Sequence, residues 1–253
     1  MSRLYHSVLF FTLFLVTVTA LTTSCESTAP ISELTEVERA RRIAELRKES
    51  KLWFEKFRES EGASDFDALR RHTDLEKETT DLAMGTCPFC FFRYGVALQR
   101  LGNFHFRNGL DLGRHDELPP ELQKKQNEYF SLARERYRDS IRSLEVFVQQ
   151  SPRDPEVVTS LFEIMKNYDM IGDYERALVY LDRFREEYFE KLDETSKKEL
   201  LSIRDTLEKR LYEKEEDQLI RRGRRARRET MGDDEDARLR DLMRRAGREQ
   251  PAN

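Results

Sequence analysis

The chain has 253 residues, 45 basic and 49 acidic side chains and a formal net charge of −4; 37% of its residues are charged, against only 10 glycines and 7 prolines. This near balance excludes a protein that binds nucleic acid over its whole surface, and the composition suits long solvated helices better than sheets. No nucleophile motif, phosphate loop or metalloprotease motif occurs, so the chain gives no reason to expect an enzyme.

The N-terminus reads as an export signal over residues 1–24. Arg3 and the amino terminus supply positive charge, and Val8 to Leu21 form an apolar run too short for an ordinary membrane span. The run ends in Leu21-Thr22-Thr23-Ser24-Cys25. That ending resembles a bacterial lipoprotein box, although Thr22 occupies the usual aliphatic position. The resemblance implies lipidation of Cys25, a short tether over 25–31, and a protein anchored to a bacterial membrane and facing the periplasm or cell exterior. Two other readings stand beside it: an ordinary signal cleaved nearby, and an uncleaved anchor from Leu4 to Thr23 across a thin bilayer.

Residues 32–86 are expected to form an N-terminal helical cap. From Ser32, Leu34, Val37, Ile43, Leu46, Trp53, Phe54 and Phe57 recur at helical steps, and Thr35 with Glu38 makes a capping box. A second helix over Asp65–Met84 carries Phe66, Leu69, Leu75 and Leu82. Aromatics at this spacing are expected to be buried rather than to form an exposed binding patch.

Cys87-Pro88-Phe89-Cys90 has the spacing of a glutaredoxin or thioredoxin redox site, without the βαβ surroundings of those enzymes. Thr86 or Cys87 suits a helix cap and Pro88 its first turn, where a thiolate is favoured. The readings are a local disulfide pinning the helix start, thiol redox chemistry, and a zinc site recruiting two of His72, His105 and His115. The histidine spacing matches no familiar zinc finger, and the histidines are expected to face solvent or cap helix ends. Phe91 after the second cysteine excludes covalent haem attachment.

Residues 87–190 repeat one register: Phe104, Tyr137 and Tyr174 lie 33 and then 37 residues apart. Tyr137, Ile141, Leu144 and Phe147, closed by Pro152, share a helix face, as do Tyr174, Ala177, Leu181 and Phe184. Leu161, Ile164, Met165 and Tyr168 form another, followed by the turn Ile171-Gly172-Asp173. Upstream, Tyr94, Gly95, Leu98, Leu101, Gly102 and Phe104 repeat the first-helix pattern. These segments resemble the tetratricopeptide repeat, a helix-turn-helix unit of about 34 residues. Residues 157–187 match it best, with Met165 in place of the small first-helix residue and Phe189 in place of the closing proline. Lys124, Asn127, Glu128 and Ser131 would put charge on the inner face of a separate first helix before Tyr137. Asn108-Gly109 and Leu112-Gly113 are expected to break the upstream helix, and Pro119-Pro120 to stop any continuation, leaving an elongated hairpin with a loop over 108–120.

The expected fold is therefore all-α: TPR-like helical hairpins stacked in a short superhelical array between capping helices. Ser196 with Glu199 again reads as a capping box, opening a C-terminal capping helix over 191–220 with Leu200, Leu201, Ile203, Leu207 and Leu211 on its apolar face. The charged tail 221–253 carries Arg221, Arg222, Arg224, Arg225, Arg227 and Arg228 before the acidic run 233–236. It reads as a solvated helix or disordered tail, or as a contact for anionic lipid headgroups.

The resemblance implies a scaffold that holds a protein or peptide partner in an inner groove, with no cofactor and no metal. Its first-helix positions place Arg93, Gln99, Lys166 and Asn167 at that groove. The expected function is a membrane-tethered interaction scaffold in the cell envelope. The alternatives are a thiol redox or metal-binding protein centred on Cys87 and Cys90, and an anionic-lipid binder acting through the arginine-rich tail.

Overall fold

The computed structural model describes residues 34–60, 65–83, 85–113 and 118–246, with side chains as far as Arg225; the export signal, Cys25 and His115 lie outside these residues. The described chain is all-helical, with no strand. Its helices are α1 (Glu36–Glu59), α2 (Phe66–Ala83), α3 (Pro88–Leu112), α4 (Pro120–Gln150), α5 (Glu156–Met170), α6 (Tyr174–Tyr188) and α7 (Glu194–Ala246), with a 3-10 turn at Phe189–Lys191 before α7.

Each start has a local cause. Thr35 and Glu38 form the expected capping box on α1: Glu38 N–H donates to Thr35 Oγ1 and Thr35 N–H to the Glu38 carboxylate. Asp65 accepts from Ala68 N–H at 2.9 Å to open α2. Pro88 and Pro120 occupy the first positions of α3 and α4, where a missing N–H costs nothing. Gly172 at φ 77° makes the reversal between α5 and α6, after which Asp173 caps α6. The cap of α7 is Asp193 rather than Ser196: its carboxylate accepts from the Ser196 N–H and hydroxyl, both at 2.9 Å, so the helix begins two residues earlier than Ser196.

Helices adjacent in sequence pack on one another from α1 to α7, and α3 also touches α5. A small cluster of Leu46, Leu75 and Leu82, flanked by half-buried Trp53, joins α1 to α2. The larger core runs from α4 to α7 through Ile141, Leu144, Phe147, Leu161, Ile164, Tyr168, Ala177, Leu181, Phe184, Leu200 and Leu207.

The hairpin of α3 and α4 departs from the expected helix break at Asn108-Gly109. α3 runs through both residues to Leu112, because glycines seven residues apart face large side chains of α4. A Cβ on Gly95 would meet Leu144 at 2.7 Å, one on Gly102 would meet Tyr137 at 2.9 Å, and one on Gly109 would meet Phe130 at 2.7 Å. Residue numbers rise on α3 as they fall on α4, so the pair is antiparallel. Ser140 Oγ donates to the Gly95 carbonyl at 2.7 Å and Gln126 Nε2 to that of Gly109 at 3.1 Å, fixing the register at both ends. The glycines thus admit close approach of two helices, which offsets their poor helix propensity.

α7 continues unbroken through the arginine run to Ala246, so the tail is helical as far as that residue. From Tyr212 to Arg225 every residue is exposed, including Leu219 and Ile220.

Candidate functional site

α1, α2 and α3 enclose a cleft of about 550 Å³, lined by Arg47, Lys48, Lys51 and Phe54 from α1, His72 and Glu76 from α2, and Phe92, Arg93, Val96 and Arg100 from α3. The helical period produces it: residues 47, 51 and 54 share one face of α1, and 93, 96 and 100 share one face of α3. Phe54, Phe92 and Val96 form an apolar floor, and the Arg100 guanidinium lies 4.1 Å from the centre of the Phe54 ring.

The walls carry five cations against one carboxylate. That carboxylate, Glu76, is 1% exposed and holds Arg93 at 2.5 Å while accepting from the Ser50 hydroxyl. Ser50 Oγ also meets His72 Nδ1 at 2.9 Å. Glu76 therefore neutralises Arg93 from behind, while Lys48 and Lys51 lie exposed on the rim, Lys51 with the Glu55 carboxylate 3.8 Å away. Burial lowers the pKa of Arg100 from its ordinary value, opposed by the nearby Glu163 and Glu76 carboxylates. The guanidinium stays charged, since arginine titrates far above neutrality. The cleft is thus suited to an anionic group attached to an apolar one.

Beside the cleft, the Cys87 and Cys90 sulfurs lie within bonding distance, their Cα atoms 5.4 Å apart. Cys87 is the N-cap residue of α3 and half-buried, whereas Cys90 is 1% exposed. The same Arg47 that lines the cleft donates through Nη2 to Cys87 Sγ at 3.0 Å and to Cys90 Sγ at 3.1 Å. Thr80 Oγ1 donates to the Cys90 carbonyl at 3.2 Å, tying the start of α3 to α2.

Of the four expected groove residues, Arg93 lines this cleft. Gln99 and Lys166 meet instead on the Glu163 carboxylate of α5, Lys166 at 2.9 Å. Asn167 is fully buried and donates to Ser140 Oγ at 2.9 Å, so it joins α5 to α4 rather than lining a groove. The repeat-signature residues Gly95, Leu98, Gly102, Tyr137, Ile141, Leu144, Phe147, Leu161, Tyr168, Ala177, Leu181 and Phe184 are buried; Tyr94, Phe104, Gly172 and Tyr174 are half-buried and Pro152 is exposed. Arg47, Lys48, Lys51 and Arg100 escaped the sequence reading, although their helical spacing around phenylalanines is visible there.

His72 and His105 do not face solvent: they are 5% and 6% exposed. Among the described residues no three His, Cys, Asp or Glu side chains come together as a metal site. Burial holds both imidazoles below the ordinary value of 6.5; the Glu76 carboxylate works against this at His72, and the Arg136 charge reinforces it at His105. The unfolded chain therefore takes up protons near pH 6.5 that the folded chain refuses until lower pH. The stabilising contribution is complete above that value and is lost as pH falls through the folded-state values. The urea midpoint is expected to fall between about pH 7.5 and pH 5, and His105→Gln to flatten that slope. A midpoint curve identical in the variant would refute this assignment for His105.

Compared with protein-family models, curated proteins and solved structures, the chain matches none.

Proposed function

We propose that this chain is a membrane-tethered, TPR-like interaction scaffold of the bacterial cell envelope, and that its α1–α3 cleft holds an acidic segment of another envelope protein. The observation that carries the reading is the excess of cations around an apolar floor: Arg47, Lys48, Lys51, Arg93 and Arg100 face a single buried carboxylate, with Phe54, Phe92 and Val96 beneath them. Complementary charge steers association and selects the partner, while the aromatic floor supplies desolvation energy. The repeated helix-turn-helix register supports the scaffold reading, and the Leu21–Cys25 ending supports the tether.

Binding of a fluorescent glutamate-rich peptide containing one aromatic residue tests the cleft. Lys48→Glu with Lys51→Glu is expected to weaken it at least about tenfold and to reduce its salt dependence, because both lysines are exposed and their reversal leaves the core intact. Equal affinity in the double variant would refute the cleft as the binding site. The tether is tested by the intact mass of the membrane-extracted protein, expected to begin at an acylated Cys25. An unprocessed, unlipidated mass would refute it.

A further inference from the structure

We propose that Cys87 and Cys90 form a thiol–disulfide exchange site that oxidises a dithiol of a partner protein. Four features of the pair combine. Cys87 is half-buried and Cys90 enclosed, giving the two distinct roles that exchange requires. Cys87, the less buried of the two, is the N-cap of a 25-residue helix, where unpaired N–H groups favour negative charge. One guanidinium, that of Arg47, donates to both sulfurs. Among the described residues no carboxylate pairs with Arg47, and its Nε is buried without a hydrogen-bond partner, so its charge is left for the sulfurs.

A clasp that only pinned the start of α3 would need none of these features. A cation shared between both sulfurs does little for a neutral disulfide, yet it stabilises either thiolate once the bond opens. A pair whose reduced form is stabilised in this way is an oxidant. Here α1 supplies, through Arg47, the positive charge the exchange needs, and Thr80 fixes the start of α3.

The exchange proceeds in two displacements. A partner thiolate attacks Cys87 Sγ, forming a partner–Cys87 disulfide as the Cys87–Cys90 bond breaks, and Cys90 leaves as a thiolate beside Arg47. The partner's second thiolate then attacks its own sulfur within that mixed disulfide. The partner closes its disulfide and Cys87 leaves as a thiolate at the helix N-terminus. Two electrons pass from the partner dithiol to the cysteine pair. The two partner thiol protons go to water and return to Cys87 and Cys90 to the extent that these are not held as thiolates. Lys48 and Lys51 at the neighbouring rim favour the approach of a thiolate-bearing segment.

The proposal goes beyond peptide binding and stands if the cleft binds no peptide, because small thiols probe the cysteines alone. The full chain is equilibrated with reduced and oxidised glutathione without denaturant, trapped with an alkylating agent and weighed. The wild-type pair is expected to open and close reversibly in the folded protein. Cys90→Ser is expected to take up glutathione at Cys87 at least about tenfold faster than Cys87→Ser takes it up at Cys90, following exposure and thiolate character. Arg47→Ala is expected to shift the equilibrium about tenfold towards the disulfide, from the loss of a hydrogen bond to a charged group, and Arg47→Lys to keep most of the wild-type value. Helix content by circular dichroism shows that each variant is folded. A bond that resists glutathione and dithiothreitol until the chain unfolds would overturn the proposal. So would equal labelling of the two single-cysteine variants, or an equilibrium that Arg47→Ala leaves unmoved.

Discussion

Gly102→Leu is expected to destabilise the protein by about 3 kcal/mol or more and to lower its melting temperature by about 6–12 °C. The reason is local: the first added carbon would already stand 2.9 Å from the Tyr137 ring, which is 1% exposed and donates its hydroxyl to Asn103 at 2.8 Å. Leucine is the better helix former by under about 1 kcal/mol, so propensity alone predicts a gain, and overpacking must outweigh it. Gly223 supplies the control. A Cβ there meets nothing within 4 Å, so Gly223→Ala is expected to stabilise by up to about 1 kcal/mol. Adding Tyr137→Ala to Gly102→Leu is expected to cost less than the sum of the two single changes, since the second removes the obstacle created by the first. Strict additivity in urea unfolding would mean that the two helices do not meet as described.

The second large effect is expected at Arg93. Arg93→Ala leaves Glu76, 1% exposed, with the Ser50 hydroxyl as its remaining hydrogen-bond donor among the described residues and the nearby Arg100 charge as partial compensation; breaking a buried ion pair costs about 3–5 kcal/mol. Arg93 keeps some contact with solvent, so the lower end of that range applies. Glu76→Gln in the Arg93→Ala background is expected to recover about 1 kcal/mol by removing the charge that has lost its hydrogen-bonded partner. Urea midpoints of the three variants check this. Arg93→Ala as stable as wild type would show that Glu76 does not depend on the pair.

Much of the helical layout was legible because its signals are local. Thr35 with Glu38, Pro88, Pro120 and the Gly172-Asp173 turn each satisfy a backbone need within a few residues, and the apolar register placed Tyr137, Leu144, Leu161, Ala177 and Leu181 in the interior. The failures arose where a distant residue reverses a local preference. Gly109 reads as a helix breaker until Phe130, on another helix, fills the space beside it. Asn167 reads as a polar groove residue until Ser140 and the packing of α4 enclose it. His72 reads as solvated until Ser50 and Glu76 close over it. The candidate site was less legible than the fold for the same reason. Arg47 and Cys87 are 40 residues apart, and only the packing of α1 and α2 against the start of α3 brings the guanidinium to the sulfurs. The motif at 87–90 was visible in the sequence; the cation that gives it chemical meaning was not.

The order of packing along the chain sets how far an event at one end is felt at the other. Each helix rests mainly on its sequence neighbours, with α3 and α5 making the main skip, so the packing follows the order of the chain. Ligand occupancy between α1 and α3 reaches α7 through α4 or α5, with α6 or the Arg210–Asp169 ion pair as the last link. The exposed stretch of α7 from Tyr212 onwards therefore stands several helix interfaces from the cleft in the order of packing.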